Sequence, residues 1–139
     1  MLREVQKMTA TGSHFYGMAV DIDGRNIAIG APDSTTGRVY VYGAVEQELT
    51  GSGFFGVSVS LDNDTLVVGG EGPNRTGYVT VFKYLDDEWK GIQVLNGIHE
   101  GDSFGTSLAL KADTLVVGVP FSDNEGKHRG SVDVYTKNG

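Results

Sequence analysis

The sequence has no cysteine, and only 3 prolines and 1 tryptophan among its 139 residues. Without cysteine, neither a disulfide framework nor a thiolate metal site can hold the fold, so packing and hydrogen bonding must do so. Positive charge is also scarce: 11 Lys and Arg stand against 18 Asp and Glu, a formal net charge of −7. That excludes a broad basic surface for phosphates or anionic lipid, and nucleic acid with it as a partner. No apolar run approaches the roughly 18 residues of a membrane span. The opening residues, Met1 to Lys7, lack the apolar core of a signal peptide.

Glycine is what the chain has in excess, at 21 residues, about twice the ordinary share. It falls within a repeat of three units. The first reads Phe15-Tyr16-Gly17-Met18-Ala19-Val20, a turn at Asp23-Gly24, Asn26 to Pro32, then Gly37-Arg38-Val39-Tyr40-Val41-Tyr42. The second reads Phe54-Phe55-Gly56-Val57-Ser58-Val59, a turn at Asn63-Asp64, Thr65 to Gly70, then Gly77 to Phe82. The third reads Phe104-Gly105-Thr106-Ser107-Leu108-Ala109, a turn at Ala112-Asp113, Thr114 to Pro120, then Gly130 to Tyr135. Gly56 follows Gly17 by 39 residues and Gly105 follows Gly56 by 49, and Gly30, Gly69 and Gly118 repeat both offsets. A fixed register with length differences confined to loops is the mark of stacked repeats.

A more polar strand candidate precedes each unit: Glu4–Ala10, Val45–Thr50 and Lys90–Leu95. Strands this frequent, separated by Gly, Asp, Asn and Ser, leave no room for an ordinary helix, so the chain reads as all-β. The middle strands Ile27–Ile29, Leu66–Val68 and Leu115–Val117 are continuous apolar runs, which implies cover on both faces. The last strands alternate, and small residues crowd the first ones. Radially packed sheets produce this gradient. The expected fold is one domain, residues 1–139, of three four-stranded antiparallel propeller blades at about 2–42, 43–82 and 83–135.

These units resemble FG-GAP repeats, the blades of the integrin α-subunit N-terminal propeller and of many microbial proteins. The first element of that name stands at Phe55-Gly56 and Phe104-Gly105 and, altered, at Tyr16-Gly17, with Phe15 before it. The second stands at Gly30-Ala31-Pro32, reduced to Gly69-Gly70 and to Gly118-Val119-Pro120. The resemblance implies a blade whose outermost strand precedes the three inner ones, leaving Glu4–Ala10 to clasp the end of the array. It also implies an extracellular or cell-surface setting. Propellers close with about four to eight blades, so three units imply a partial propeller, completed by more chain, by a second copy or by another subunit.

Many members of that family hold Ca2+ in a loop of alternating carboxylates between the first two strands. Here the equivalents, Asp21 to Asn26, Asp62-Asn63-Asp64 and Lys111-Ala112-Asp113, are too short for a cage of six to eight oxygens and read as tight hairpins. No metal or other cofactor is expected. One face collects the loops with His14, Asp33, Glu71, His99, Glu100, Asp102, Asp123, Asn124 and Glu125, which is where the resemblance places ligand contacts. The histidines His14, His99 and His128 have no partner at helical or hairpin spacing, and no Gly-x-Ser-x-Gly elbow occurs, so no enzyme is expected. Phe15, Phe54 and Phe104 read as wedges between blades, or as a sugar-stacking platform. Trp89 reads as an edge cover or interface anchor. The expected function is a non-catalytic adhesion or assembly module binding protein or a second copy of itself, with a glycan-binding propeller as the alternative.

Overall fold

The computed structural model describes residues 1–123 and 129–137. Among them, β1 (Ala19–Asp23), β2 (Asn26–Ala31), β3 (Thr36–Tyr42) and β4 (Gln47–Ser52) form one antiparallel sheet. A second sheet holds β5 (Ser58–Asp62), β6 (Thr65–Gly70), β7 (Tyr78–Leu85) and β8 (Glu88–Asn96). The third holds β9 (Leu108–Lys111), β10 (Thr114–Val119) and β11 (Ser131–Thr136), in the order β11-β10-β9. The all-β expectation holds, and the one helical element among the described residues is a short 3-10 turn, Pro73–Arg75.

The expected strand grouping needs correction. The polar strands placed before the second and third units belong to the sheets of the units they follow: β4 pairs with β3 and β8 with β7. A short turn after β3 or β7 folds the next strand straight back along it, and this local hairpin fixes the pairing. The sheets therefore span 19–52, 58–96 and 108–136 rather than 2–42, 43–82 and 83–135. The third has three strands, not four, among the described residues. Glu4–Ala10 is not a strand, and most of it is exposed; a strand needs a neighbour for its ladder, and this segment pairs with none among the described residues.

The two-residue hairpins are as expected. Asp23 pairs with Asn26, Asp62 with Thr65 and Lys111 with Thr114, and Gly24, Asn63 and Ala112 supply the positive φ of 59°, 56° and 51°.

The sheets pack face to face. Ala28, Val39, Val41 and Leu49 of the first meet Val59, Leu61, Leu66, Val68 and Phe82 of the second. The other side of the second sheet, with Val67 and Val79, meets Leu115, Val117 and Val119 of the third. Leu66, Val67 and Val68 are thus buried on both faces, to 0 %, 1 % and 0 % exposure. Each outer sheet meets another sheet on one side only. Val20 and Ile22 stay 66 % and 65 % exposed at one end of the stack, and Val132 and Val134 stay 60 % and 62 % exposed at the other.

Candidate functional site

The paired glycines explain how the units touch. Gly17, Gly56 and Gly105 lie in turns ahead of the inner strands, not within them, at φ 94°, 99° and 91°. Their amides donate to the carbonyls of Gly30, Gly69 and Gly118 at 3.0, 2.9 and 3.0 Å. The Gly56 and Gly105 turns also press on the unit before them. A Cβ on Gly30 would lie 2.0 Å from the Gly56 carbonyl oxygen, and one on Gly69 would lie 2.2 Å from that of Gly105. The Ser58 hydroxyl donates to the same Gly105 carbonyl at 2.5 Å. Gly37 and Gly77 repeat the arrangement against the Phe55 and Phe104 carbonyls, each 2.0 Å from the position a Cβ would take.

The carboxylates weighed as calcium ligands serve these joints. Asp21 accepts from its neighbour Ile22 N at 2.8 Å and, across the joint, from Leu61 N at 2.7 Å. Asp23 accepts from Asn63 N, and Asp62 accepts from Ala112 N at 2.6 Å. Ser60 Oγ accepts from Leu110 N at 3.0 Å. Sequence reasoning missed this role, although the partners lie 40 and 50 residues apart, close to the repeat offsets.

In the first two units the aromatic wedge is displaced by one residue from expectation, while Phe104 stands where it was expected. Phe55 and Phe104 are the equivalents, 2 % and 3 % exposed, each edge-on to a ring of the closing strand: Phe82 at 6.1 Å and Tyr135 at 6.3 Å. Tyr16 meets Tyr40 in the same way at 5.4 Å. Phe15 and Phe54 precede the wedge at φ 52° and 60°, and Phe15 is 65 % exposed. Buried Phe55 and Phe104 offer no face to a sugar ring. Trp89 is buried on β8, where its backbone N and O are held by the Gln47 side-chain amide at 2.7 and 2.9 Å.

The loop face expected to carry ligand contacts is largely paired within itself. His14 Nδ1 lies 2.6 Å from Asp33 Oδ2, and Thr35 donates to Asp33 Oδ1 through its amide and its hydroxyl, both at 3.0 Å. Arg75 bridges Glu71 at 3.1 Å and stacks on Phe121 at 5.2 Å, while Asn74 donates to Glu100 at 2.9 Å. Asp102 is buried and its carbonyl receives Phe121 N; its neighbour Ser103 has a buried hydroxyl oxygen without a partner. His99 and Asp123 are exposed. Asn124, Glu125 and His128 lie outside the described residues. The structure thus joins His14 with Asp33, and Glu71 and Glu100 with neighbouring donors, but draws no three His, Cys, Asp or Glu into a metal-holding group among the described residues.

The Thr35 amide, followed by His14, holds the Asp33 carboxyl well below the ordinary carboxylate range. Such a group favours the folded state above its unfolded pKa, and that contribution is lost as pH falls through the lower folded value. In a carbon-detected NMR titration Asp33 should stay ionised through about pH 3.9, where an ordinary aspartate titrates. His14→Ala and Thr35→Val should each move its midpoint upward in part, because the backbone amide remains. An Asp33 midpoint at the ordinary value in the parent protein would contradict the geometry.

The FG-GAP repeat model matches residues 96–135. This chain carries an FG-GAP repeat. That repeat comprises the third unit with the loop leading into it, and the first two units share its Gly17/Gly30 and Gly56/Gly69 spacing. No curated protein matches the chain. No helix among the described residues is long and apolar enough to cross a membrane.

Proposed function

We propose that this FG-GAP chain is a non-catalytic protein-binding module of propeller type, which works through the uncovered faces at the two ends of its stack and through its loop face. The observation that carries the reading is the equivalence of those ends to the internal joints. Val20 and Ile22 hold the positions that Val59 and Leu61 occupy in the second sheet, where they are buried to 8 % and 5 %. Val132 and Val134 match Val39 and Val41, buried to 0 % and 1 %. Exposed apolar faces of this kind mark interaction surfaces, and open sheet edges invite pairing. Integrin-like adhesion and an extracellular setting belong to the same proposal, which the family resemblance supports; independence from Ca2+ belongs to it on the shortness of the three hairpin turns.

The double variant Val20→Asp/Ile22→Asp tests it. Both side chains are exposed, so circular dichroism and melting temperature should change little. Native mass spectrometry of the chain recovered from its source cells should show a complex of fixed stoichiometry, weakened at least about tenfold by two charges in an apolar interface. The same weakening is expected of Val132→Asp/Val134→Asp if that end is engaged. A stable complex indifferent to both pairs would contradict the reading.

A further inference from the structure

We propose that Asn96-Gly97 is a covalent modification site, a deamidation switch that is held off while the second and third sheets are joined and that keeps their joint open once it has reacted. It goes beyond the binding-module reading and does not depend on it. The sequence holds two Asn-Gly pairs, Asn96-Gly97 and Asn138-Gly139, and the second lies outside the described residues. An asparagine cyclises most readily when glycine follows, because no side chain hinders the attacking amide. The Gly97 nitrogen, its proton lost to base, attacks the Asn96 side-chain carbonyl carbon. Ammonia leaves, taking up a proton from solvent, and water then opens the five-membered imide. Opening at the side-chain carbonyl gives aspartate. Opening at the main-chain carbonyl gives isoaspartate, in which the chain runs on through the former side chain and is one methylene longer.

Asn96 is the last residue of β8 and is exposed. Water and base therefore reach it, and what holds the reaction off is the backbone. Asn96 lies extended in the ladder opposite Tyr78, which carries the Gly97 nitrogen away from the side-chain carbonyl. The Gly97 amide donates to the Gly77 carbonyl at 2.9 Å, so its proton is engaged. Gly97 is also boxed in: a Cβ there would lie 2.2 Å from the Thr76 carbonyl oxygen and 2.9 Å from the Phe104 Cβ. That box is part of the second joint. Phe104 N donates to Thr76 O at 3.2 Å, Gly77 and Phe104 form a parallel bridge, and the Phe104 ring is the wedge between the sheets. Gly97 can swing onto Asn96 only when this contact comes apart, so the reaction rate follows the fraction of time the joint is open. An added methylene ahead of Gly97 has no room where no Cβ fits, and isoaspartate therefore keeps Thr76 and Phe104 apart. The first joint has no such pair, since its equivalent glycine, Gly51, follows Thr50. Asp23-Gly24, a pair of related chemistry, has its carboxylate occupied by Asn63 N.

Peptide mapping by mass spectrometry tests the switch on the folded chain and on the chain in urea, both kept in mildly alkaline buffer. Asn96 should deamidate at least about tenfold faster in urea, and the native rate should climb with urea well below the unfolding midpoint. Equal rates in the two states, or no reaction at Asn96 in urea, would overturn the proposal. A second comparison sets the purified isoaspartate form against Asn96→Asp, which carries the same charge on an unaltered backbone. Hydrogen exchange at the Phe104 and Gly105 amides should match the parent in Asn96→Asp and be at least about tenfold faster in the isoaspartate form. The two forms exchanging alike would also overturn it.

Discussion

Gly30→Ala should cost about 3 kcal/mol or more, the upper range for overpacking where nothing can yield. The new Cβ would stand 2.0 Å from the Gly56 carbonyl oxygen and 3.0 Å from its carbon. Both belong to the backbone of the next unit, so relief requires the first two sheets to separate. Their separation would expose Ala28, Val39 and Leu66, each now 0 % exposed. Gly118→Ala is the control. Its Cβ would meet the Ser107 hydroxyl oxygen at 2.2 Å, with the next atoms at 3.5 Å or beyond, and a serine side chain can rotate. That substitution should cost less than about 1 kcal/mol. Urea denaturation of both variants, read at a concentration where the chain is single, separates the two cases. Equal losses would mean that the first joint is no tighter than the free end.

Phe104→Ala and Phe55→Ala should each remove about 3–5 kcal/mol, the range for an aromatic truncated in a core. Phe104 is 3 % exposed and Phe55 2 %, and each fills the space between one sheet and the turn of the next unit. Their rings also sit edge-on to Tyr135 and Phe82, a geometry worth about 0.5–1.5 kcal/mol beyond burial. Domains of this size hold only about 5–15 kcal/mol in all, so either variant should unfold in far less denaturant. Phe15→Ala should change little, because that ring is 65 % exposed. A large loss at Phe15 with none at Phe55 would restore the placement of the wedge that the sequence suggested.

That one-residue displacement shows what the sequence could and could not reveal. Glycine spacing made the three units legible, because the backbone contacts at Gly30 and Gly69 leave no room for a Cβ. Strand membership was not legible in linear order. Gln47–Ser52 precedes the second unit in the chain, yet it pairs with β3, because the short turn after β3 folds it back at once. Glu4–Ala10 looked equally strand-like but finds no edge within its own chain. The doubly covered middle strand was read correctly for Leu66–Val68 and for Ala28 and Ile29, whereas Val116 of the third sheet is only half-buried, since burial depends on neighbours as well as on pattern. At the loop face the residue types were visible and their pairing was not: His14 and Asp33 are 19 residues apart and meet only once β1 and β2 have folded. Asp21, Asp23 and Asp62 read as turn formers or calcium ligands. Their use as acceptors for the next unit's amides requires the joint itself.

Everything proposed for the two open ends depends on the internal joints being face-to-face contacts between successive sheets. Methyl-to-methyl NOE spectroscopy on selectively labelled protein tests this directly. The account predicts cross-peaks from Val39 and Val41 to the Val59, Leu61 and Leu66 group, and from Val67 and Val79 to Val117 and Val119. Methyls of Val39 and Val41 that report only on their own sheet, with Leu66 and Val68 packed elsewhere, would contradict it.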